Sequence, residues 1–269
     1  MRARDLGIKF EGQPGALNAI TDVPGLEVGM VTLISGEGDL IPDGGPVRTG
    51  VTAILPVGKT DTQQAIPAGI YSLNGNGEMT GSHWINETGG LSGPIMITNT
   101  HAVGTVHRGV IEWVKQNFPE AAMEWLLPVV AETWDGYLND INGAHVTTEH
   151  AIAAIDSATG GQVSEGSHGG GTGMNCYGFK GGNGTASRTV PFGGKDYVVG
   201  VFVQANFGDR KELRIHGQDM STLDVPNPMD ESTWIDRDKS RTVPGGAGSV
   251  IVVVATNAPL LPDQCRALA

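Results

Sequence analysis

Short apolar runs separated by glycine, proline and asparagine dominate the chain. Val51–Pro56, Pro94–Thr98, Leu127–Ala131, Tyr197–Val203 and Ser249–Thr256 have strand-like composition and are bounded by turn formers, which predicts five strands. The last run, Val250-Ile-Val-Val-Val-Ala-Thr, does not alternate with polar residues, so it predicts a central strand covered on both faces. Two segments change period. Val106, Val110, Trp113 and Val114 recur at three and four residues within Val103–Phe118, and Ala151, Ile152 and Ile155 follow the candidate N-caps Thr147 and Thr148 within Thr147–Ser157. Both predict amphipathic helices that cover a sheet. Pro259 and Pro262, followed by Asp263-Gln-Cys-Arg-Ala-Leu-Ala, read as the opening of a further helix, and Asp209–Thr242, polar and carrying Pro226 and Pro228, reads as a long loop ahead of the Ser249 strand.

Composition agrees with many strands joined by tight turns. Hydrophobic residues make up 39% of the 269 positions, charged residues 17%, and there are 41 glycines, a balance that excludes a coiled coil and a disordered acidic chain. One domain spanning 1–269 is expected. A formal charge of −12 sets the field against phosphate backbones and anionic lipid, so neither nucleic acid nor a membrane is an expected partner. The N-terminus lacks the continuous apolar stretch of a secretory signal and no later run reaches membrane-spanning length, which makes a cytoplasmic location the default expectation.

Metal and nucleotide chemistry find no support. Cys176 and Cys265 have no CxxC spacing, the 7 histidines include no HExxH, and no metal or other cofactor is expected. Gly169-Gly-Gly-Thr-Gly-Met and Gly181-Gly-Asn-Gly lack both GxGxxG between strand and helix and the Gly-Lys-Ser/Thr ending of a phosphate loop. Tight turns account for these glycines.

Chemistry concentrates where Pro244-Gly-Gly-Ala-Gly-Ser249 joins a turn to the last strand. A serine hydroxyl needs an adjacent base before it attacks, and a terminal α-amine with a pKa near ~8 supplies one once the preceding peptide bond is cut. Scission of Gly248–Ser249 would therefore create the catalyst, through an N-to-O acyl shift that Gly248, lacking a side chain, leaves unobstructed. On the pentapeptide alone, an ordinary glycine-rich turn entering a strand explains the same residues.

The wider sequence resembles one family. Asn18-Ala-Ile-Thr-Asp-Val-Pro-Gly-Leu-Glu-Val-Gly, Arg48-Thr-Gly-Val-Thr-Ala-Ile, Leu73-Asn-Gly-Asn-Gly-Glu-Met-Thr-Gly, Ile97-Thr-Asn-Thr-His and Pro128-Val-Val-Ala-Glu-Thr-Trp-Asp-Gly are similar to stretches of the D-amidase/D-esterase L-aminopeptidases (DmpA-like) and β-peptidyl aminopeptidases (BapA-like). So are Gly169-Gly-Gly-Thr-Gly-Met, Phe179-Lys-Gly-Gly-Asn-Gly-Thr-Ala-Ser-Arg, Val203-Gln-Ala-Asn-Phe-Gly and the Gly248-Ser249 junction, all in the family's order. The resemblance implies an α/β fold, a four-layer αββα sandwich like that of N-terminal-nucleophile hydrolases and self-cleaving arginine-biosynthetic acetyltransferases. It implies a precursor with 1–248 as α segment and 249–269 as the start of a β segment that is longer in the family and there contributes a further serine and a glutamate. The chain is thus expected to be truncated.

Residue by residue, the resemblance makes Ser249 the nucleophile and Asn206 the amide that stabilises the oxyanion. It puts Glu132 and Trp134 in the substrate pocket, Glu132 to hold the substrate ammonium. Without the resemblance, Asn206 reads as a turn residue and Glu132 as a solvated or capping carboxylate. Trp134 stands where family members carry tyrosine; indole has no hydroxyl, which removes any role of that phenol and leaves a pocket wall. The implied activity is a self-cleaving aminopeptidase/amidase acting on short peptides, amides or esters with a free amino terminus, assembled as a homo-oligomer of processed αβ units. The alternatives are a self-processing acyltransferase of similar fold and a noncatalytic binding or assembly protein.

Overall fold

A computed structural model describes residues 2–226 and 248–269. The larger sheet contains β1 (Glu27–Ser35) and β2 (Val47–Leu55). The two-residue strands β3 (Ile66–Pro67) and β4 (Gly90–Leu91) pair beside it, flanking α1 (Ser82–Thr88). β5 (Ile95–Asn99), α2 (Val103–Asn117) and β6 (Val129–Thr133) form a β-α-β unit that completes the larger sheet in the order β1-β2-β5-β6. Only β5 and β6 run parallel, as a crossover helix requires; the other neighbours are antiparallel. After α3 (Thr148–Asp156) come the short hairpin β7 (Asn175–Cys176) and β8 (Phe179–Lys180), then the long hairpin β9 (Gly182–Phe192) and β10 (Lys195–Asn206). A two-residue hairpin, β11 (Arg214–Ile215) with β12 (Gln218–Asp219), precedes β13 (Ser249–Thr256) and α4 (Pro262–Leu268). The second sheet has the order β13-β10-β9.

Side-chain alternation along β2 shows how the layers stack. Val51, Ala53 and Leu55 pack against Val106, Val110 and Trp113 of α2 and Ile155 of α3. Ile54, pointing the other way, joins Ile97 of β5 and Phe202 of β10 in a core between the two sheets. The helices thus cover one face of the larger sheet and the second sheet covers the other. α2 begins where Asn99 Oδ1 accepts from the backbone N–H groups of His101 and Ala102, both at 3.0 Å, and it ends before Phe118 and Pro119. Trp113 Nε1 donates to Asp156 Oδ1 at 2.7 Å, tying α2 to the end of α3.

The predicted helices match α2 and α3, with Thr147 as the N-cap of α3, and the helix opening at Pro262 is α4. The five predicted strands match β2, β5, β6, β10 and β13. The expectation for β13 needs correction. It is an edge strand of its sheet among the described residues: Ile251 and Val253 face the inter-sheet core, but Val252 is 52% and Val254 36% exposed. A β-branched run specifies extended backbone and says nothing of where in a sheet the strand lies. Within the predicted loop Asp209–Thr242, Gly217 (φ 79°) turns the β11–β12 hairpin; positions 227–242, and Pro244 to Ala247, lie outside the described residues. Among the described residues no helix is long and apolar enough to cross a membrane.

Candidate active site

Antiparallel pairing of β10 with β13 sets Asn206 directly opposite Ser249 at the end of the second sheet. Asn206 Nδ2 donates to Ser249 Oγ at 3.2 Å and to the Trp134 carbonyl at 2.8 Å. Its Oδ1 accepts from the Asn175 backbone N–H at 2.9 Å, which fixes the orientation of the amide, because a backbone N–H can only donate. The Trp134 backbone N–H also reaches Ser249 Oγ, at 3.4 Å. The residue after β6, the last residue of β10 and the first of β13 therefore converge on one hydroxyl. That convergence depends on the face-to-face packing of the two sheets, reinforced nearby where buried Gln204 Nε2 donates to Thr133 Oγ1 at 2.6 Å.

Gly248 leads into this position with no space for a side chain. A Cβ there would lie 2.5 Å from Phe207 Cα and 2.7 Å from the Asn206 carbonyl oxygen. The bond expected to break thus runs against the backbone of the residues that carry the amide.

Glu132 is the penultimate residue of β6, two residues before Trp134, which follows the strand. Glu132 is only 3% exposed, and its carboxylate is held by two neutral donors: the Glu78 backbone N–H to Oε1 at 3.0 Å and the Thr100 hydroxyl to Oε2 at 2.5 Å. Gly77 closes over it, since a Cβ at that position would approach Oε1 to 2.6 Å. Among the described residues no cation pairs with this carboxylate. A buried carboxylate held only by neutral donors is a site suited to a small cation such as an ammonium group. The solvated reading of Glu132 is therefore excluded by its burial.

Trp134 contributes its backbone rather than its ring to these contacts, and the residue is 38% exposed. All five residues singled out in the sequence are thus brought to the ends of β6, β10 and β13, with Glu132 two residues before Trp134 in the chain. Sequence reasoning missed Thr100, the Glu78 N–H and Asn175. The parallel register of β5 and β6 aligns Thr98 with Glu132, and Thr100, in the turn directly after β5, follows two residues later. The stretches containing Thr100 and Glu78 were visible as motifs, but only the fold shows that both meet Glu132.

Two residues beyond the end of β6, Asp135 is fully buried, with Asn139 Nδ2 donating to Oδ1 at 3.0 Å and, among the described residues, no partner for Oδ2. Burial pushes its pKa up to about 6, against the opposing effect of the nearby Thr49 hydroxyl and the Asn139 hydrogen bond. Among the described residues no group of histidine, cysteine and carboxylate side chains is arranged to hold a metal ion.

Comparison with known proteins gives the family and the fold of the chain. Residues 18–269 match the profile of Peptidase family S58. The beta-peptidyl aminopeptidase BapA of Sphingosinicella microcystinivorans is 53% identical over 273 residues, covering 100% of this chain and 67% of that protein. The solved L-aminopeptidase D-Ala-esterase/amidase of Ochrobactrum anthropi, described as a prototype of the serine aminopeptidases and a variant of the N-terminal-nucleophile hydrolase fold, superposes with a TM-score of 0.88 at 44% identity. That match covers 100% of this chain and 70% of that one. A Burkholderia sp. beta-aminopeptidase superposes with a TM-score of 0.85 at 44% identity, covering 100% of this chain and 70% of the other.

Proposed function

The chain belongs to peptidase family S58 and has the fold of the N-terminal-nucleophile hydrolases, and from that premise we propose that Ser249, freed by self-cleavage after Gly248, is the nucleophile of an aminopeptidase/amidase. The observation that carries this reading is the position of Ser249 Oγ, which receives Asn206 Nδ2 at 3.2 Å and faces the Trp134 N–H at 3.4 Å.

In the precursor, Ser249 Oγ attacks the Gly248 carbonyl carbon, the C–N bond breaks, and the resulting ester is hydrolysed by water. The released α-amine, with an ordinary pKa near ~8, takes the Oγ proton in each later turnover. Attack on a substrate carbonyl gives a tetrahedral oxyanion; Asn206, its amide fixed by Asn175, supplies an N–H donor to that charge. The acyl-enzyme forms as the leaving amine departs with a proton, and water then regenerates Ser249. A donor of this kind is worth ~3–4 kcal/mol in the transition state.

Glu132 binds the substrate's ammonium group. The substrates are short peptides, amides or esters with a free amino terminus. Relatives named for β-peptidyl substrates and for D-alanine esters and amides make peptides opening with a β-amino acid and D-amino-acid amides the first compounds to assay. Steady-state hydrolysis of one peptide in free and N-acetylated form tests this reading. Hydrolysis of the free form alone is expected, whereas equal rates would remove the aminopeptidase assignment.

A further inference from the structure

One cation beside the site has no part in the mechanism above. Lys180, on β8, pairs across the short hairpin with Asn175, and its Nζ donates to the carbonyl oxygens of Met174 and Gly181, both at 2.9 Å, and of Gly171 at 3.4 Å. The Met174 carbonyl and the Asn175 N–H are the two ends of one peptide group. The carbonyl end takes the Lys180 ammonium and the Gly181 N–H, at 2.8 Å; the N–H end donates to Asn206 Oδ1 at 2.9 Å. From Asn206 the chain continues through Nδ2 to Ser249 Oγ.

We propose that Lys180 is a positioning residue for acyl transfer: its ammonium polarises the Met174–Asn175 peptide, which holds and polarises the Asn206 amide that faces the oxyanion. The inference rests on the roles given to Ser249 and Asn206 above. A cation on an amide oxygen draws electron density from the N–H and makes it a stronger donor, and the same effect passes through the next amide in the chain. With three carbonyl acceptors around one ammonium, the Met174–Asn175 peptide is also held in place, and the Asn206 amide cannot turn without losing the Asn175 bond.

Lys180 is exposed as a residue, but its ammonium is desolvated where it sits against the three carbonyls, and this pushes its pKa down to about 8, so its charge is lost within an accessible pH range. Arg210, 3.5 Å above the Phe179 ring, and Cys176 and Tyr177 in the same hairpin are charged or titratable groups beside it, and among the described residues no carboxylate pairs with Lys180. The two titrations near the site have opposite signs. The Ser249 amine must lose its proton to act as base, so turnover rises with pH through its pKa; Lys180 must keep its proton, so turnover falls above about 8.

The test uses the full-length processed protein with Lys180→Met, Lys180→Arg, Asn206→Ala and the Lys180→Met/Asn206→Ala double variant, assayed for kcat and KM on a free-amine peptide from about pH 6 to 10. Lys180→Met is expected to lower kcat about three- to tenfold with KM nearly unchanged, the part of the oxyanion contribution that polarisation adds. Lys180→Arg should recover most of kcat and move the alkaline fall to higher pH. In the Asn206→Ala background Lys180→Met should cost less than about twofold, because the chain then has no terminus. Additive losses in the double variant, a rise in KM in place of the fall in kcat, or an arginine variant as slow as the methionine variant would overturn the inference. Unaltered kcat in Lys180→Met beside a large loss in Asn206→Ala removes the Lys180 role alone. Unaltered kcat in Asn206→Ala removes the Asn206 assignment and this inference with it. If Lys180→Met does not fold, Lys180→Arg decides: an alkaline limb that stays in place contradicts the proposal, and one that moves upward supports it.

Discussion

Asn206 and Ser249 are register partners across β10 and β13, and Asn206 Nδ2 reaches Ser249 Oγ at 3.2 Å while Asn206 Oδ1 is held by the Asn175 N–H. An amide fixed in this way serves the transition state more than the bound substrate. Asn206→Ala is therefore expected to lower kcat by ~10²–10³ with KM little changed. Steady-state kinetics on the processed protein check this, and a raised KM with full kcat would make Asn206 a binding residue.

The role proposed for Glu132 predicts that substrate recognition and maturation separate, because the Gly248–Ser249 bond proposed to break presents no free amine. Glu132→Gln should raise KM for free-amine peptides by about tenfold or more, the range for a lost charge-assisted hydrogen bond, while self-cleavage proceeds at the normal rate. Removing the donor to Oε2 tests the same carboxylate indirectly: Thr100→Val should raise KM by a smaller factor, and Thr100→Ser, which keeps the hydroxyl, should not. Parallel loss of maturation and substrate binding in Glu132→Gln would contradict the assignment.

Asp135 makes stability depend on pH. Its carboxyl titrates near 3.8 when exposed and at about 6 in the folded chain, so between those values the folded state holds a proton that the unfolded state has lost. Stability therefore falls as pH rises through that window and is level above it, a total of about 3 kcal/mol at ~1.4 kcal/mol for each pH decade. Asn at this position keeps an acceptor for Asn139 and carries no charge. The stability of Asp135→Asn relative to the unmutated protein should thus increase from pH 4 to about 6.5 and then stay constant. Thermal or urea unfolding across that range measures it, and a pH-independent difference would show that Asp135 does not titrate in this window.

How much was legible in advance follows the physical signals. α2 and β13 could be read almost to the residue, because periodic apolar positions and a β-branched run mark helix and strand directly. β9 could not: its inward residues Asn183, Thr185 and Ser187 are polar, and they are buried because they bond to other segments, Thr185 Oγ1 accepting from the Ile20 N–H at 2.7 Å and Ser187 Oγ donating to Asp22 at 2.6 Å. Partners that lie more than a hundred residues away leave no local pattern. β1 was missed as well; Gly29 stands where the approach of the end of α3 leaves no room for a Cβ, and glycine weakens a strand signal.

The site followed the same division. Ser249, Asn206, Glu132 and Trp134 were identifiable from motifs in the family's order, whereas Thr100, Asn175 and Lys180 depend on which strand ends meet. Trp134 shows the limit of reading a side chain alone: the structure uses its N–H and C=O, which every residue type except proline provides.

Intact mass of the full-length protein and of Ser249→Ala tests the central claim most directly. The unmutated protein should resolve into two polypeptides that divide between Gly248 and Ser249, the second beginning with serine. Ser249→Ala should remain one chain and show no turnover, with the same folded signature by circular dichroism, since the change removes a hydroxyl and adds no bulk. Cleavage of the Ser249→Ala chain at the same bond, or an unmutated chain that stays whole after prolonged incubation while hydrolysing peptides, would contradict the account.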